Sequence, residues 1–366
     1  MINRTVNILL ICTSGCNLAC TYCYCDKGQT QSMGIGAFKE AFNKLDAYFD
    51  DTTEFHIVFH GGEPLILGAQ FYRDALAFLG DQRRPLHTSI QTNLTLMNDE
   101  FISLFKANGC TVSTSVDGSR SMHDANRRYP DGKGSYEDVV RKVALLDECE
   151  VPFGGVIVTL NESNTVNARE LYDSLRRFEA HAIGFSIVYR ADGKDDVVLD
   201  PAHLGAFLIE IFDLWSVDEE PLRLSFFESI VRSALGINPY PECTFCNRCA
   251  DGFIAIDASG EVYPCGDFVG KRSYLYGNIL TQDFKELWEG PARNALAHRQ
   301  GAEGTAATCQ GCAYDEICRS GCPAKSPNGY ADKDVYCEAY KMLFAHLKRS
   351  IEHFGDRGTE TKLKPP

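Results

Sequence analysis

The chain has 366 residues, of which 44% are hydrophobic and 23% charged, and its formal net charge is -14 at pH 7. This length supports a large core and more than one domain, and the negative charge argues against a nucleic-acid partner, because phosphate binding needs a basic face. No apolar run approaches the ~18 residues of a membrane span, and the N-terminus lacks a signal-peptide cleavage site, so we expect a cytoplasmic protein without membrane association.

Short apolar runs rich in β-forming residues alternate with amphipathic stretches along the first two hundred residues. The predicted strands cover residues 5–11, 55–59, 87–91, 111–116, 153–160 and 183–189. The predicted helices cover residues 36–48, 70–79, 99–108, 136–147 and 167–179. Six strands alternating with helices imply a parallel sheet with right-handed crossovers. We therefore predict an α/β fold, a partial (β/α)6 TIM-like barrel whose chemistry lies in the loops that follow the strands.

Three cysteines, Cys16, Cys20 and Cys23, follow the first predicted strand. Sixteen cysteines in a reducing compartment indicate metal binding rather than a disulfide framework. Three thiolates can hold three irons of a 4Fe-4S cluster and leave the fourth iron open, whereas ferredoxin clusters and zinc sites use four ligands. A zinc loop, or free buried cysteines, is the alternative.

The triad, with Tyr22 just before its last cysteine, resembles the cluster loop of the radical S-adenosylmethionine (SAM) enzymes. In that family the amino and carboxylate groups of SAM chelate the open iron. After the second predicted strand come Gly61, Gly62, Glu63 and Pro64, which resemble the family's GGEP motif. The resemblance implies that their backbone and carboxylate bind the amino group of SAM, and the glycines would let the backbone approach a ligand closely. An ordinary loop is the alternative.

Motifs of the same kind follow the next strands. Gln91 and Asn93 belong to a QTN segment, Ser115 to an S-x-D-G segment and Arg127 to an H-D-x-x-R segment, which resemble the branch with anaerobic sulfatase maturases and peptide maturases. By that resemblance Ser115 and Arg127 hold the ribose and carboxylate of SAM, and Leu160 packs on adenine. The alternatives are a strand-end cap for Ser115, a surface ion pair for Arg127 and a core position for Leu160.

Residues 191–220 include a helix-like stretch, 204–215, which we interpret as the closing of the barrel and a bridge. A second cysteine array follows it and resembles the SPASM domain, an extension of certain radical SAM enzymes that carries two auxiliary 4Fe-4S clusters. The expected domains are a barrel with bridge over 1–235, a SPASM domain over 236–345, and a helix end with a disordered tail over 346–366. The resemblance thus implies three 4Fe-4S clusters and SAM as cofactors.

The family's interleaved pattern implies one ligand set for each auxiliary cluster. The first set is Cys243, Cys249, Cys265 and Cys322. The second set is Cys309, Cys312, Cys318 and Cys337. Cys246 competes with Cys243 for a place in the first set, and a pair of structural zinc sites is the alternative to both clusters.

Residues 254–264 read as a hairpin with a Ser-Gly turn that aims Cys265 toward the barrel mouth. In sulfatase maturases an aspartate directly follows this cysteine and is thought to act as a base. Here Gly266 takes that place and Asp267 comes one residue later. Asp267 is therefore a tentative catalytic base, and an aspartate that caps a turn is the alternative.

The shifted aspartate favours a radical SAM/SPASM oxidoreductase that crosslinks a ribosomally made precursor peptide through a thioether or carbon-carbon bond. The resemblance implies reductive cleavage of SAM to a 5′-deoxyadenosyl radical, hydrogen abstraction from a side chain, and a flavodoxin or ferredoxin-type reductant. The alternative enzymes are an anaerobic sulfatase (formylglycine) maturase and a small-molecule dehydrogenase. The non-enzymatic alternative is an iron-sulfur electron carrier.

Overall fold

The computed structural model describes residues 5–23, 30–178, 180–190, 197–237, 243–246, 249–300 and 307–355. The strands are β1 (Thr5–Thr13), β2 (Glu54–Gly61), β3 (Leu86–Thr92), β4 (Thr111–Ser115), β5 (Phe153–Leu160), β6 (Ile183–Ile187), β7 (Tyr189–Arg190), β8 (Val197–Val198), β9 (Phe253–Asp257), β10 (Glu261–Tyr263) and β11 (Gly277–Asn278). Each of the six strands predicted for the barrel is present at its expected place.

The helices alternate with the first six strands and then dominate the C-terminal half. They are α1 (Ile35–Tyr48), α2 (Gly68–Gly80), α3 (Asp99–Ala107), α4 (Arg120–Asn126), α5 (Tyr136–Glu148), α6 (Ala168–Leu175), α7 (Pro201–Val217), α8 (Ser225–Ala234), α9 (Cys243–Cys246), α10 (Cys249–Gly252), α11 (Phe284–Trp288), α12 (Pro291–Gln300), α13 (Asp315–Cys318) and α14 (Cys337–Gly355). Helices α4, α8 and α9 to α13 have no counterpart among the predicted helices.

Strands β1 to β6 form one parallel sheet in sequence order, as the predicted partial barrel requires. Strand β2 alternates buried side chains with half-exposed ones, and its Phe55, Ile57 and Phe59 are buried. Helix α1 buries Phe38 and Phe42 on one face, at the i and i+4 spacing of an amphipathic helix. The ring of Phe42 packs edge to face on Phe55, and the ring of Phe38 lies tilted against that of Phe59.

The hairpin of β9 and β10 extends this sheet beyond β1. Strand β9 pairs with β1 in parallel, from Asn7 opposite Phe253 to Ile11 opposite Asp257, and β10 and β11 follow as antiparallel strands. The sequence predicts the hairpin but assigns it to a second domain, with no indication that it joins the barrel sheet. The domain boundaries themselves stay a prediction.

Helices α7 and α14 connect the barrel to the C-terminal region. They approach closely at Gly205, where a Cβ atom would lie 3.1 Å from the Cα atom of Ala339. The predicted helix 204–215 is longer than expected, because Asp200 caps it and Pro201 begins it. Helix α14 ends at Gly355, and residues 356–366, predicted to be disordered, lie outside the described residues. Within the ranges given above, we find no helix with the length and apolarity that crossing a bilayer demands.

Candidate active site and metal centres

The carboxyl ends of β1 to β5 bring the predicted motifs to one edge of the sheet. The cysteine triad follows β1, Glu63 follows β2 and Asn93 follows β3. Ser115 and Leu160 are the last residues of β4 and β5. This edge is where parallel α/β sheets place their ligands.

The glycine pair fixes the start of the cysteine loop. The amide of Gly62 donates to the carbonyl of Thr13 over 2.8 Å, and the amide of Glu63 donates to the carbonyl of Gly15 over 2.8 Å. A Cβ atom on Gly62 would lie 2.3 Å from that Gly15 oxygen, and one on Gly61, whose φ is +142°, would lie 2.4 Å from the Thr13 oxygen. The glycines are therefore required for contact with the cysteine loop, whereas the sequence interpretation assigned them to contact with a ligand.

Glu63 joins the ends of β2 and β3. Its fully buried carboxylate accepts hydrogen bonds from the Leu65 amide over 3.0 Å, the Thr92 hydroxyl over 2.7 Å and the Asn93 amide over 2.7 Å. Burial raises the pKa of Glu63 to about 7, although these three donors oppose the shift. The next residue, Pro64, begins a 3₁₀ turn. Glu63 thus organises the loops at the sheet edge, and its contact with SAM stays a prediction.

The three thiols of the triad lie close enough to affect each other's charge. Burial raises the pKa of Cys16 to about 11, and the nearby groups Glu63, Cys20 and Cys23 raise it further. The side-chain amide nitrogen of Asn93 lies 3.9 Å from the sulfur of Cys16. Repulsion of this kind among thiolates is relieved when they bind a cationic metal centre, so the triad fits a cluster.

Tyr22, Asp117 and Arg127 form a buried network beside the triad. The Tyr22 hydroxyl donates to the fully buried Asp117 carboxylate, which also accepts from the Arg127 guanidinium over 3.0 Å and from the Thr159 amide over 3.0 Å. Arg127 is therefore in an ion pair, as the alternative interpretation expected, but the pair is buried rather than on the surface. The sequence analysis missed Asp117, although the S-x-D-G segment contains it.

The other predicted SAM contacts have different surroundings. The side-chain amide of Gln91 donates to the Ser115 hydroxyl over 3.1 Å, and both side chains are half-buried at the sheet edge. Leu160 is fully buried in the hydrophobic core. The position of Leu160 agrees with the core alternative, whereas Gln91 and Ser115 lie at the edge where a ligand is expected.

Asp267 lies near enough to His60, close to the end of β2, for its negative charge to act on that ring. It is exposed, in a 3₁₀ turn (Gly266–Phe268) whose cap residue is Cys265, and no side chain caps that turn. Burial lowers the pKa of His60, the penultimate residue of β2, and the negative charge of Asp267 opposes that shift. The role of Asp267 as a catalytic base therefore stays a prediction.

The first predicted set of auxiliary thiols comes together. Burial raises the pKa of Cys265, and the neighbouring Cys322 and Cys243 raise it further. Cys249 forms a side-chain hydrogen bond with Cys243 and is affected by Cys265. Cys246 also contacts Cys243 and Cys249. The site thus contains the four predicted ligands and one additional thiol.

The second predicted set lines one cavity. Its lining includes all four predicted cysteines, Cys309, Cys312, Cys318 and Cys337. Burial raises the pKa of Cys318, and the other three thiols are among the groups that raise it further. The four cysteines that the resemblance to the SPASM domain implies for the second cluster therefore share one cavity, and their role as its ligands stays a prediction.

Buried polar atoms without hydrogen-bond partners test whether the two auxiliary sites fit a cluster. Over the part of the chain that the structure describes, these atoms belong to Arg232, Tyr276, Asp315, Ser320, Tyr330 and Tyr340. Asp315, Ser320 and Tyr340 line the cavity of the second set. Tyr276 and Tyr330 lie near Cys249 and Cys265 of the first. Because buried polar groups are normally hydrogen-bonded, the hydroxyls indicate that an acceptor occupies each site, and the sulfur atoms of an iron-sulfur cluster are acceptors.

Two family models match the chain. The radical SAM superfamily matches residues 10–175, and the SPASM iron-sulfur cluster-binding domain matches residues 243–313. The first match covers the triad and the edge of the sheet, and the second begins at Cys243 and ends one residue after Cys312. These matches confirm the predicted architecture and the predicted cofactors.

Three similar proteins extend over nearly the whole chain. A cysteine-type anaerobic sulfatase-maturating enzyme of Clostridium novyi is 28% identical, over 91% of this chain and 92% of its own. A serine-type anaerobic sulfatase-maturating enzyme of Bacteroides thetaiotaomicron is 27% identical, over 91% of this chain and 86% of its own. The solved structure of anSMEcpe with AdoMet and the Cp18Cys peptide has a TM-score of 0.83 at 21% identity, over 97% of this chain and 99% of that chain, which establishes the fold.

These relatives correct the first functional interpretation. The sequence analysis favoured an enzyme that crosslinks ribosomally made peptides, mainly because Gly266 separates Cys265 from Asp267. That interpretation is wrong, because curated relatives that align with 91% of this chain are anaerobic sulfatase-maturating enzymes. The electron-carrier alternative is wrong as well, since those relatives are enzymes.

Proposed function

Because this chain carries a radical SAM domain followed by a SPASM domain, we propose that it oxidises a cysteine or serine side chain of a sulfatase to formylglycine. The observation that carries the proposal is the similarity to anaerobic sulfatase-maturating enzymes, which spans 91% of this chain and includes the barrel edge and the auxiliary sites. The chain is a radical SAM oxidoreductase with three 4Fe-4S clusters and a SAM site.

The residues at the mouth suit this oxidation. Converting the Cβ of serine to an aldehyde removes one hydrogen atom, one proton and one electron; for cysteine the same loss gives a thioaldehyde, which water converts to the aldehyde with release of H₂S. When bound, SAM and the clusters supply hydrogen-atom abstraction and an acceptor for the electron. The proton requires a base, and we propose Asp267, whose exposed carboxylate lies opposite His60. Asp267 belongs to a 3₁₀ turn that begins at Gly266, directly after Cys265.

The predicted SAM contacts belong to this proposal. We propose that Glu63, Asn93, Gln91, Ser115 and Arg127 hold SAM directly or position the groups that do. What supports this is their location along the carboxyl edge of the sheet, within hydrogen-bonding reach of one another or of the cysteine loop. We also propose a cytoplasmic location, since cluster thiolates need a reducing compartment, and a flavodoxin or ferredoxin-type reductant.

The test compares three peptides from the target region of a bacterial sulfatase, with cysteine, serine or alanine at the target position. Anaerobically reconstituted enzyme is incubated with SAM and dithionite, and products are examined by mass spectrometry and with an aldehyde-reactive hydrazide probe. We expect a probe-reactive product from the cysteine or serine peptide and none from alanine. A product that has lost two hydrogens yet fails to react with the probe would contradict the proposal.

The Asp267→Asn variant tests the base. We expect it to cleave SAM in the presence of the peptide and to form little aldehyde, because only the proton acceptor is removed. Asp81→Asn, an exposed carboxylate at the end of α2, is the matched control and should behave as the unmodified enzyme. Equal aldehyde yield from Asp267→Asn would exclude Asp267 as the base.

A further inference from the structure

Two buried hydroxyl groups line the cavity of the second auxiliary site. Tyr340 is fully buried and Ser320 is 4% exposed, and both lie there together with the four cysteines. Within the described part of the chain, neither hydroxyl oxygen has a hydrogen-bond partner. Burial of a hydroxyl without a hydrogen bond is unfavourable, because its bonds to water are lost and nothing replaces them. An acceptor inside this cavity is therefore expected.

The elements that carry the cysteine ligands also fix the two hydroxyls. Tyr340 lies in the first turn of α14, three residues after Cys337, so the two side chains share a helix face. The ring of Phe245 packs edge to face on the Tyr340 ring, with centroids 5.0 Å apart. Ser320 has a φ of +68°, in a left-handed turn directly after α13, which ends at Cys318. Neither hydroxyl can move far without moving a ligand.

We propose that the hydroxyls of Tyr340 and Ser320 donate hydrogen bonds to the cluster that Cys309, Cys312, Cys318 and Cys337 hold, and thereby make this cluster easier to reduce. Reduction adds one electron, and donors directed at the sulfur atoms stabilise the added negative charge. The inference rests on the cofactor set and is independent of the substrate assigned above.

Charged groups in the same cavity act on the cluster as well. Lys341 lines the cavity and favours the reduced form, whereas an unpartnered carboxylate oxygen of Asp315 opposes it. Substitutions that keep these charges and remove one hydroxyl isolate the effect of the hydrogen bonds. Tyr340→Phe does so without changing the ring that packs on Phe245, and Ser320→Ala is the equivalent change at the second position.

The experiment measures the reduction potentials of the three clusters in the complete, anaerobically purified protein by redox titration followed with electron paramagnetic resonance. We expect Tyr340→Phe and Ser320→Ala each to shift the same single potential to a more negative value, with iron content unchanged. Tyr263→Phe is the matched control, because this buried hydroxyl already donates to Glu261 over 2.8 Å. It should leave all three potentials unchanged.

A second measurement detects the hydrogen bonds themselves. In deuterated buffer, electron-nuclear double resonance of the reduced cluster should lose one exchangeable deuteron signal in Tyr340→Phe and another in Ser320→Ala. If the potentials and the deuteron signals are the same in both variants as in the unmodified protein, the proposal is overturned. If one variant loses its iron, the reduction potential and the deuteron signals of the other variant decide whether the proposal holds. No peptide is needed, so an error in the proposed substrate would leave this test unaffected.

Discussion

Tyr22 donates its hydroxyl to the buried carboxylate of Asp117, which connects the cysteine loop to the residues just beyond β4. The same carboxylate is in an ion pair with Arg127, whose guanidinium carbon lies 5.5 Å from the centre of the Tyr22 ring. The position of the last cysteine of the triad, Cys23, therefore depends on a carboxylate nearly a hundred residues away in the sequence.

The first prediction concerns this carboxylate. Asp117→Asn should lower the free energy of unfolding by about 3–5 kcal/mol, because it leaves the buried charge of Arg127 without a partner. Tyr22→Phe should lower it by only about 1 kcal/mol, the value of one hydrogen bond. Anaerobic urea denaturation followed by fluorescence gives both values. Equal effects of the two variants would mean that the ion pair is not the dominant interaction.

The second prediction concerns the contact between the glycine pair and the cysteine loop. Gly62→Ala places a Cβ atom 2.3 Å from the carbonyl oxygen of Gly15, so the loop must shift. We expect the variant to fold and to lose most SAM cleavage. Gly36→Ala is the control, since a Cβ atom there meets nothing within 4 Å, and in α1 it should raise stability slightly. Full activity of Gly62→Ala would show that the loop tolerates displacement.

The third prediction separates Cys243 from Cys246. Three 4Fe-4S clusters correspond to about twelve irons per chain. Cys243→Ser should reduce this to about eight, because Cys243 neighbours both Cys249 and Cys265. Cys246→Ser should keep all three clusters, since the remaining thiols complete the site. Iron and sulfide analysis after anaerobic purification measures the difference, and the reverse pattern would assign the ligand to Cys246.

The fourth prediction concerns acid stability. Burial lowers the pKa of His123 from 6.5 to about 4. As the pH falls, His123 is therefore protonated in the unfolded chain before it is protonated in the folded one. The contribution of the buried neutral ring to the free energy of unfolding is complete above pH 6.5 and is lost as the pH falls toward 4. One such group changes the free energy of unfolding by about 1.4 kcal/mol per pH unit in that window.

The check is the pH dependence of urea unfolding in His123→Gln, which cannot take up the proton. Its free energy of unfolding should fall less steeply with decreasing pH than that of the unmodified protein. His181→Gln removes an exposed histidine and should leave the slope unchanged. If His123→Gln retains the full slope, other groups cause the acid sensitivity.

Sequence patterns predicted the barrel elements because each pattern depends only on which face of one strand or helix is buried. The alternation in β2 and the i, i+4 apolar spacing in α1 reflect burial of one face, so their periods identified the elements to within two residues. The grouping of Cys309, Cys312 and Cys318 came from the resemblance to the SPASM domain rather than from such a period, and the three line one cavity. Helix α8 escaped prediction although Phe226, Phe227 and Ile230 give it an apolar face.

Contacts between distant parts of the chain could not be read from such patterns. The pairing of β9 with β1 has no signal in the local sequence, because the residues of a strand do not show which other strand pairs with each of its edges. Asp117 is one of many acidic residues, and its partners Tyr22 and Arg127 are known only from the fold. The contact of Gly62 with the cysteine loop escaped prediction for the same reason, since that backbone comes from β1 and the loop after it, and the role of Gly62 in SAM binding stays a prediction.

The parallel ladder between β1 and β9 also limits how the enzyme can open. Swinging the C-terminal region away from the barrel would break the backbone hydrogen bonds from Asn7 to Ile11 and expose the core side of both strands. The sheet register therefore fixes the cysteine loop that follows β1 relative to the hairpin that leads to Cys265.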